Sequence, residues 1–198
     1  MTAFFSGFGL GFSLILAIGA QNAFVLKQGL QRRHVFLVCL ICAGSDALLI
    51  ALGVSGFGAA VERFPAVATV ARYGGAAFLL VYGALSFRAA LGKTRALAPA
   101  GEDAPSRTRT LAICLAFTWL NPHVYLDTLV LLGSVSTQYA DAVWFGIGAA
   151  AASFVFFFGL GYGARLLIPF FQKPRAWKAL DVLIGIVMLS IATALLLG

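Results

Sequence analysis

Six long apolar runs joined by short polar connections constrain this chain more than any other feature. They cover residues 4–26, 35–58, 65–87, 110–132, 142–167 and 177–197. Each approaches the roughly 20 residues that an α-helix needs to cross a bilayer. The runs are continuous and do not alternate apolar with polar residues as the strands of a membrane barrel would. With 61% hydrophobic and 11% charged residues, the 198-residue chain carries more apolar surface than a soluble domain of that length needs. The expected fold class is therefore all-α, a polytopic membrane protein of six transmembrane helices. Its 22 glycines suit close approach of helix backbones. The first run has no basic region before it and no cleavage pattern after it, so it reads as a retained span and not a signal peptide.

The charges set the orientation. Lys27, Arg32 and Arg33 follow the first run; Arg88, Lys93, Arg95, Arg107 and Arg109 lie between the third and fourth; Arg165, Lys173, Arg175 and Lys178 lie between the fifth and sixth. The second connection holds only Arg63, opposite Glu62, and the fourth holds no Lys or Arg. Positive loops stay in the cytoplasm, so the odd loops are cytoplasmic and both termini are expected outside. A net charge of +7 with a pI near 9.8 could suggest nucleic acid. Confinement of that charge to short loops between apolar runs argues against it.

The chain also divides into halves of three runs, a first repeat at about 1–91 and a second at about 110–198, joined by a cytoplasmic loop at about 92–109. Each half places an Asn at the head of a short apolar stretch in its first run: Gln21-Asn22 in one and Asn121-Pro122 in the other. Small-residue pairs echo more weakly, Gly7 with Gly11 and Gly159 with Gly163. Three spans per half would make the repeats inverted relative to each other, a design that puts a transporter's site between the repeats.

Polar residues inside these runs are candidates for a site, because lipid offers them no partner. The stretch 119–127 gathers Asn121, Pro122, His123, Tyr125 and Asp127 in the fourth run. Pro122 should kink or open the helix there. His123 and Asp127, four apart, share a face. Asp127 can balance a cation or carry a proton, or it can be solvated near the outer interface. Asp46, in the middle of the second run beside Ala43, Gly44 and Ser45, is the sharper anomaly. Ionised at the bilayer centre, it costs roughly 3 kcal/mol on insertion scales. It must be protonated part of the time, paired, or turned to a watery cavity. Arg72 is the basic residue well inside a run, and three readings stand open: a partner for Asp46, a ligand for a carboxylate, or a side chain reaching outward to the interface. Gln21 and Asn22 form either a site or a helix end. Asp181 reads as interfacial, and Ser153 draws no attention alone. Cys39 and Cys42 form a C-x-x-C, but no proline or activating base lies beside it, so packing is the simpler role for these thiols. His34 and His123 lie in different segments and make no recognisable metal site, and no cofactor is expected.

Gly-Ala-Gln-Asn-Ala-Phe-Val-Leu-Lys-Gln-Gly at 19–29, Ser-Asp at 45–46 and Thr-Trp-Leu-Asn-Pro-His-Val-Tyr-Leu-Asp-Thr at 118–128 resemble the LysE family of amino-acid exporters, most closely its basic-amino-acid branch, the LysE/ArgO type. The resemblance covers essentially the whole chain, and 118–128 is its most specific part. It implies a multi-pass secondary transporter of a bacterial inner membrane that expels L-arginine or L-lysine, driven by protons. The family's polar positions fall on Gln21, Asn22, Asp46, Asn121, Pro122 and Asp127. One departure is Ala20, where the family often has Pro, so no proline opens the first run. The residues add modest support for a cationic substrate: two carboxylates against one arginine in the apolar interior suit a cation or a proton. Asp46 and Asp127 are then expected to bind the cation and cycle protons. Expected partners are the amino acid, protons and the bilayer, with no nucleic acid; a homo-oligomer is left open. Three alternatives are an exporter of neutral amino acids of the homoserine/threonine type, a membrane thiol oxidoreductase using Cys39 and Cys42, and a membrane scaffold that transports nothing.

Overall fold

A computed structural model describes residues 1–16, 19–57, 65–92 and 106–197. The second connection, with Glu62 and Arg63, and most of the third, with Lys93 and Arg95, lie outside the described residues. The described residues are helical in every long element. The helices are α1 (Thr2–Ile15), α2 (Ala20–Gln31), α3 (Val35–Leu52), α4 (Pro65–Leu91), α5 (Arg107–Trp119), α6 (Ala142–Gly163) and α7 (Pro174–Leu197). Between α5 and α6 runs a broken segment: a single turn at Pro122–Val124, a π-helical stretch at Tyr125–Leu131 and a short helix at Leu132–Ser136.

Among the described residues four helical stretches are long and apolar enough to cross a membrane: Val35–Gly56, Arg72–Leu91, Ala142–Phe171 and Pro174–Leu197. The pair Thr2–Ile15 and Ala20–Gln31, bent by 83°, makes a fifth if counted as one span. The chain is thus a multi-pass helical membrane protein. The first and fourth apolar runs are not continuous helices. The first breaks between α1 and α2, and the fourth breaks at Leu120-Asn121. The first break forms without a proline: Gly19 takes an extended conformation (φ −114°, ψ 171°), and Ala20 is the first residue of α2. That position tolerates proline in any helix, as Pro122 shows in the other half.

α4 packs along α7, α1 packs along α6, and α3 lies on α6 as well. The α1–α6 seam is a contact of backbones. A Cβ added at Gly7 would run into the Phe145 carbonyl, one at Gly148 into the Phe4 carbonyl, and one at Gly11 would lie 3.0 Å from the Ala149 Cα. Glycine thus permits the close approach that replaces hydrophobic collapse where the surroundings are apolar. The pair Gly159 and Gly163 plays no such part: an added Cβ at either would meet nothing within 4 Å. Their neighbour Gly161 is the packed one, against Val35 of α3 and Val25 of α2. Helical spacing gave no way to choose between these adjacent faces.

A main core gathers Phe24, Val38, Cys42, Cys114, Phe117 and Met188 from four helices. A smaller one joins Ala3, Ile50, Leu132, Phe145 and Ala149. The seam gives a direct test. Gly7→Ala should cost about 1–3 kcal/mol by overpacking and lower the melting temperature of the detergent-solubilised protein. Gly9→Ala, whose Cβ would meet nothing within 4 Å, should melt with the wild type.

Candidate functional site

Two broken helices and the middle of α3 enclose one polar cavity. Its volume is about 280 Å³, close to the lower end of small-molecule sites. Gln21, Asn22, Asp46, Asn121, His123 and Asp127 all line it. Leu14, Ile15, Ile50, Val124, Phe157 and Ile191 supply apolar wall. Pro122 is not part of the lining. Its place is at the first position of the turn after Asn121, where it has no N–H to give the Thr118 carbonyl four residues earlier; that carbonyl accepts from the Asn121 N–H instead.

Each break exposes a carbonyl that a continuous helix would have paired, and each is answered by a side chain from beyond the break. In the first half, Asn22 Nδ2 donates to the Ile15 carbonyl at 2.8 Å. In the second, the Tyr125 hydroxyl donates to the Trp119 carbonyl at 2.6 Å. The His123 N–H, which would have served Trp119, donates instead to Asn121 Oδ1 at 3.2 Å. The Asn–Pro–His–x–Tyr order therefore answers both the Trp119 carbonyl and the His123 N–H that the break sets free. The role of Tyr125 could have been found by asking where the Trp119 carbonyl goes once Pro122 stops the helix.

Asp46 is 3% exposed. Its Oδ2 accepts a hydrogen bond from Ser153 Oγ at 3.1 Å, and no basic side chain among the described residues forms an ion pair with it. A carboxylate removed from water with one hydroxyl for company is costly while it stays charged. Ser153, unremarkable in sequence, sits 107 positions away on α6, and nothing in the chain order links the two. Beside Asp46, Ser45 Oγ accepts from Trp119 Nε1 at 3.3 Å and ties α3 to the end of α5. Gln21 Nε2 donates to Thr118 Oγ1 at 3.1 Å, joining the two broken elements.

Arg72 is not the partner of Asp46. Its Nε donates to the Leu195 carbonyl at 2.5 Å and its Nη2 to the Leu196 carbonyl at 3.2 Å, at the last turn of α7. A cation suits the negative end of a helix, and the guanidinium also lies 5.8 Å from the Tyr73 ring centroid. Asp181 is not simply solvated either: it pairs with Lys27 Nζ at 2.6 Å. The thiol that approaches Cys42 is Cys114, Sγ to Sγ 3.4 Å, while Cys39 Sγ donates to the Phe157 carbonyl at 3.1 Å. No group of three His, Cys, Asp or Glu suited to a metal occurs among the described residues.

Broken helices whose ends face a shared cavity, in a multi-pass helical bundle, are the arrangement of a membrane transport protein. The chain belongs to the LysE family: the model described as LysE type translocator matches residues 12–198. It is 44% identical over 185 residues to a putative amino-acid transporter of Mycobacterium tuberculosis, covering 93% of this chain and 92% of that protein. It is 43% identical over 197 residues to the arginine exporter protein ArgO of Serratia proteamaculans, covering 98% and 96%. The ArgO protein of Salmonella enteritidis is 42% identical over 191 residues, covering 96% and 90%. No solved structure matches the chain.

The two breaks should be the most sensitive points of the backbone. Tyr125→Phe leaves the Trp119 carbonyl without its donor, and Asn22→Ala does the same to Ile15. Each should destabilise by about 1–3 kcal/mol, read as a lowered thermal midpoint of purified protein in detergent. An unchanged midpoint for both variants would show that water serves these carbonyls equally well.

Proposed function

We infer that this chain exports basic L-amino acids, arginine or lysine, from the cytoplasm across a bacterial inner membrane, by alternating access coupled to inward proton movement. The observation that carries the reading is Asp46: buried, given one hydroxyl and no ion-pair partner among the described residues, and facing a cavity it shares with Asp127. Two carboxylates in one small cavity call for a cation or a proton. The relatives named as arginine exporters support the cationic substrate.

Six crossings in two inverted three-helix repeats, about 1–91 and about 110–198, account for the packing. The third helix of each half, α4 and α7, pair with each other; so do the second helices, α3 and α6. The first element of each half is the broken one. A twofold relation in the membrane plane would produce these pairings, and it would bring the two breaks together.

The energetics favour exchange. Moving a monovalent cation outward against an inside-negative potential costs about 2.3 kcal/mol per 100 mV. Bringing in a proton for each cation removes that electrical cost. In this reading Asp46 and Asp127 hold either protons or the guanidinium or ammonium of the substrate, never both together. Asn22 and Asn121, with the backbone opened beside Pro122, hold the α-carboxylate and α-amine. Gln21 keeps the two broken helices in register through Thr118.

Vesicles loaded with labelled arginine or lysine should release it under an imposed pH gradient. Asp46→Asn should slow that release by more than tenfold, and Asp127→Asn should slow it several-fold. Proton-coupled release at the wild-type rate by Asp46→Asn would remove that carboxylate from the mechanism. A competition panel containing threonine and homoserine should leave release of the basic amino acids untouched; strong competition points to a neutral substrate instead.

A further inference from the structure

The cavity lies at the level of the two breaks. It is lined by the second half of α1, by Asp46 and Ile50 in the middle of the Val35–Gly56 stretch, and by Asp127 and Thr128 beyond the second break. Further along α2 and α7 an ion pair joins the two helices. α2 leaves the cavity at Gln21 and reaches Lys27 about 9 Å further along its axis. α7 passes from Ile191, in the cavity wall, to Asp181 over about 15 Å. There the Lys27 Nζ meets Asp181 Oδ1 at 2.6 Å, with the two side chains only 17% and 13% exposed. Basic residues flank both positions: Arg32 and Arg33 follow Lys27, and Lys173, Arg175 and Lys178 precede Asp181. This is the end that the charge pattern assigns to the cytoplasm.

Between the ion pair and the cavity four rings interlock. Phe117 lies 5.2 Å from Phe24, 4.8 Å from Phe78 and 4.9 Å from Tyr82, centroid to centroid. They come from α2, α4 and α5; Phe24 lies three residues beyond Gln21, and Phe117 is next to Thr118, the pair that bonds α2 to α5. An aromatic cluster and an ion pair thus tie α2, α4, α5 and α7 together on the Lys27 side of the cavity.

We propose that Asp181 is a loading station for the substrate's side-chain cation, occupied in this conformation by the ammonium of Lys27. Lys27 carries the same headgroup as a lysine substrate and is a like-charged stand-in for arginine. A substrate arriving from the cytoplasm takes the Asp181 carboxylate in place of Lys27. That exchange frees α2 from α7 and lets the aromatic cluster part while no carboxylate is left bare. The inference rests on the export of basic amino acids proposed above, and it adds a residue that the cavity does not contain.

The test uses the full-length protein in vesicles, with labelled arginine loaded inside over a range of concentrations. Asp181→Asn should raise the half-saturating internal concentration about tenfold, the loss of one charge-assisted contact, while the maximal rate changes little. Asp181→Glu should restore most of the affinity. The double variant Lys27→Gln with Asp181→Asn keeps a neutral hydrogen-bonded pair between α2 and α7, so it controls for folding and for closure, but it has no carboxylate to offer and should stay impaired. Export by this neutral-pair protein at wild-type affinity overturns the station and leaves the export reading standing. Wild-type vesicles that release neither arginine nor lysine overturn both. An Asp181→Asn protein with unchanged half-saturation and a lowered maximal rate also overturns the station, since the pair would then act on the gate alone.

Discussion

An interrupted helix in an apolar environment must satisfy its freed backbone groups from within the protein, and the rest of this structure follows from how that is done twice. Lipid has no hydrogen bonds to give. Asn22 answers the end of α1, and Asn121 with Tyr125 answers the end of α5. Each answer comes from a polar side chain placed just past the break. The same side chains, or their immediate neighbours, then line the space that the break opens. The polar cavity is thus a by-product of backbone accounting as much as a chemical site.

Close packing holds the breaks in place. α1 is held by glycine at its seam with α6, so its end, and the Ile15 carbonyl, cannot drift. α6 in turn carries Ser153 to Asp46 on α3. On the opposite side a Cβ at Gly75 of α4 would run into the Leu120 carbonyl at the second break, so that break too is pressed against a neighbour with no room for a side chain. Rigid seams around two interrupted elements give a molecule in which a local opening has few places to occur.

Much of this was legible in the chain. Four of the six apolar runs coincide with long helices to within several residues, while the first and fourth are broken. Asn-Pro marked the second break, and Asp46 stood out because an ionised carboxylate in the centre of such a run is costly unless it is paired or turned to water. Six polar positions were singled out; five line one cavity, and the sixth, Pro122, lies at the break beside it. Other readings changed. Arg72 caps the carbonyls of α7 instead of meeting Asp46, because its position on α4 lies against the end of α7. Asp181 gained a partner 154 residues away. Cys42 found Cys114 and not Cys39, since residues three apart on α3 present different azimuths to α5 and α6.

The sequence by itself determined the class, the positions of the four unbroken long helices, the charge asymmetry and the identity of the residues that could not rest in lipid. These are local properties: hydropathy, backbone chemistry and charge act on each segment wherever its neighbours lie. The pairing of polar groups was decided only by tertiary structure. Ser153 with Asp46, Lys27 with Asp181 and Gln21 with Thr118 join residues about a hundred or more positions apart. Which face of each helix turns inward depends on where the others pack, and a helix carrying apolar residues all round gives no moment by which to read it. The glycines show the same division: their number promised close contact, and only the folded backbone chose which of them made it.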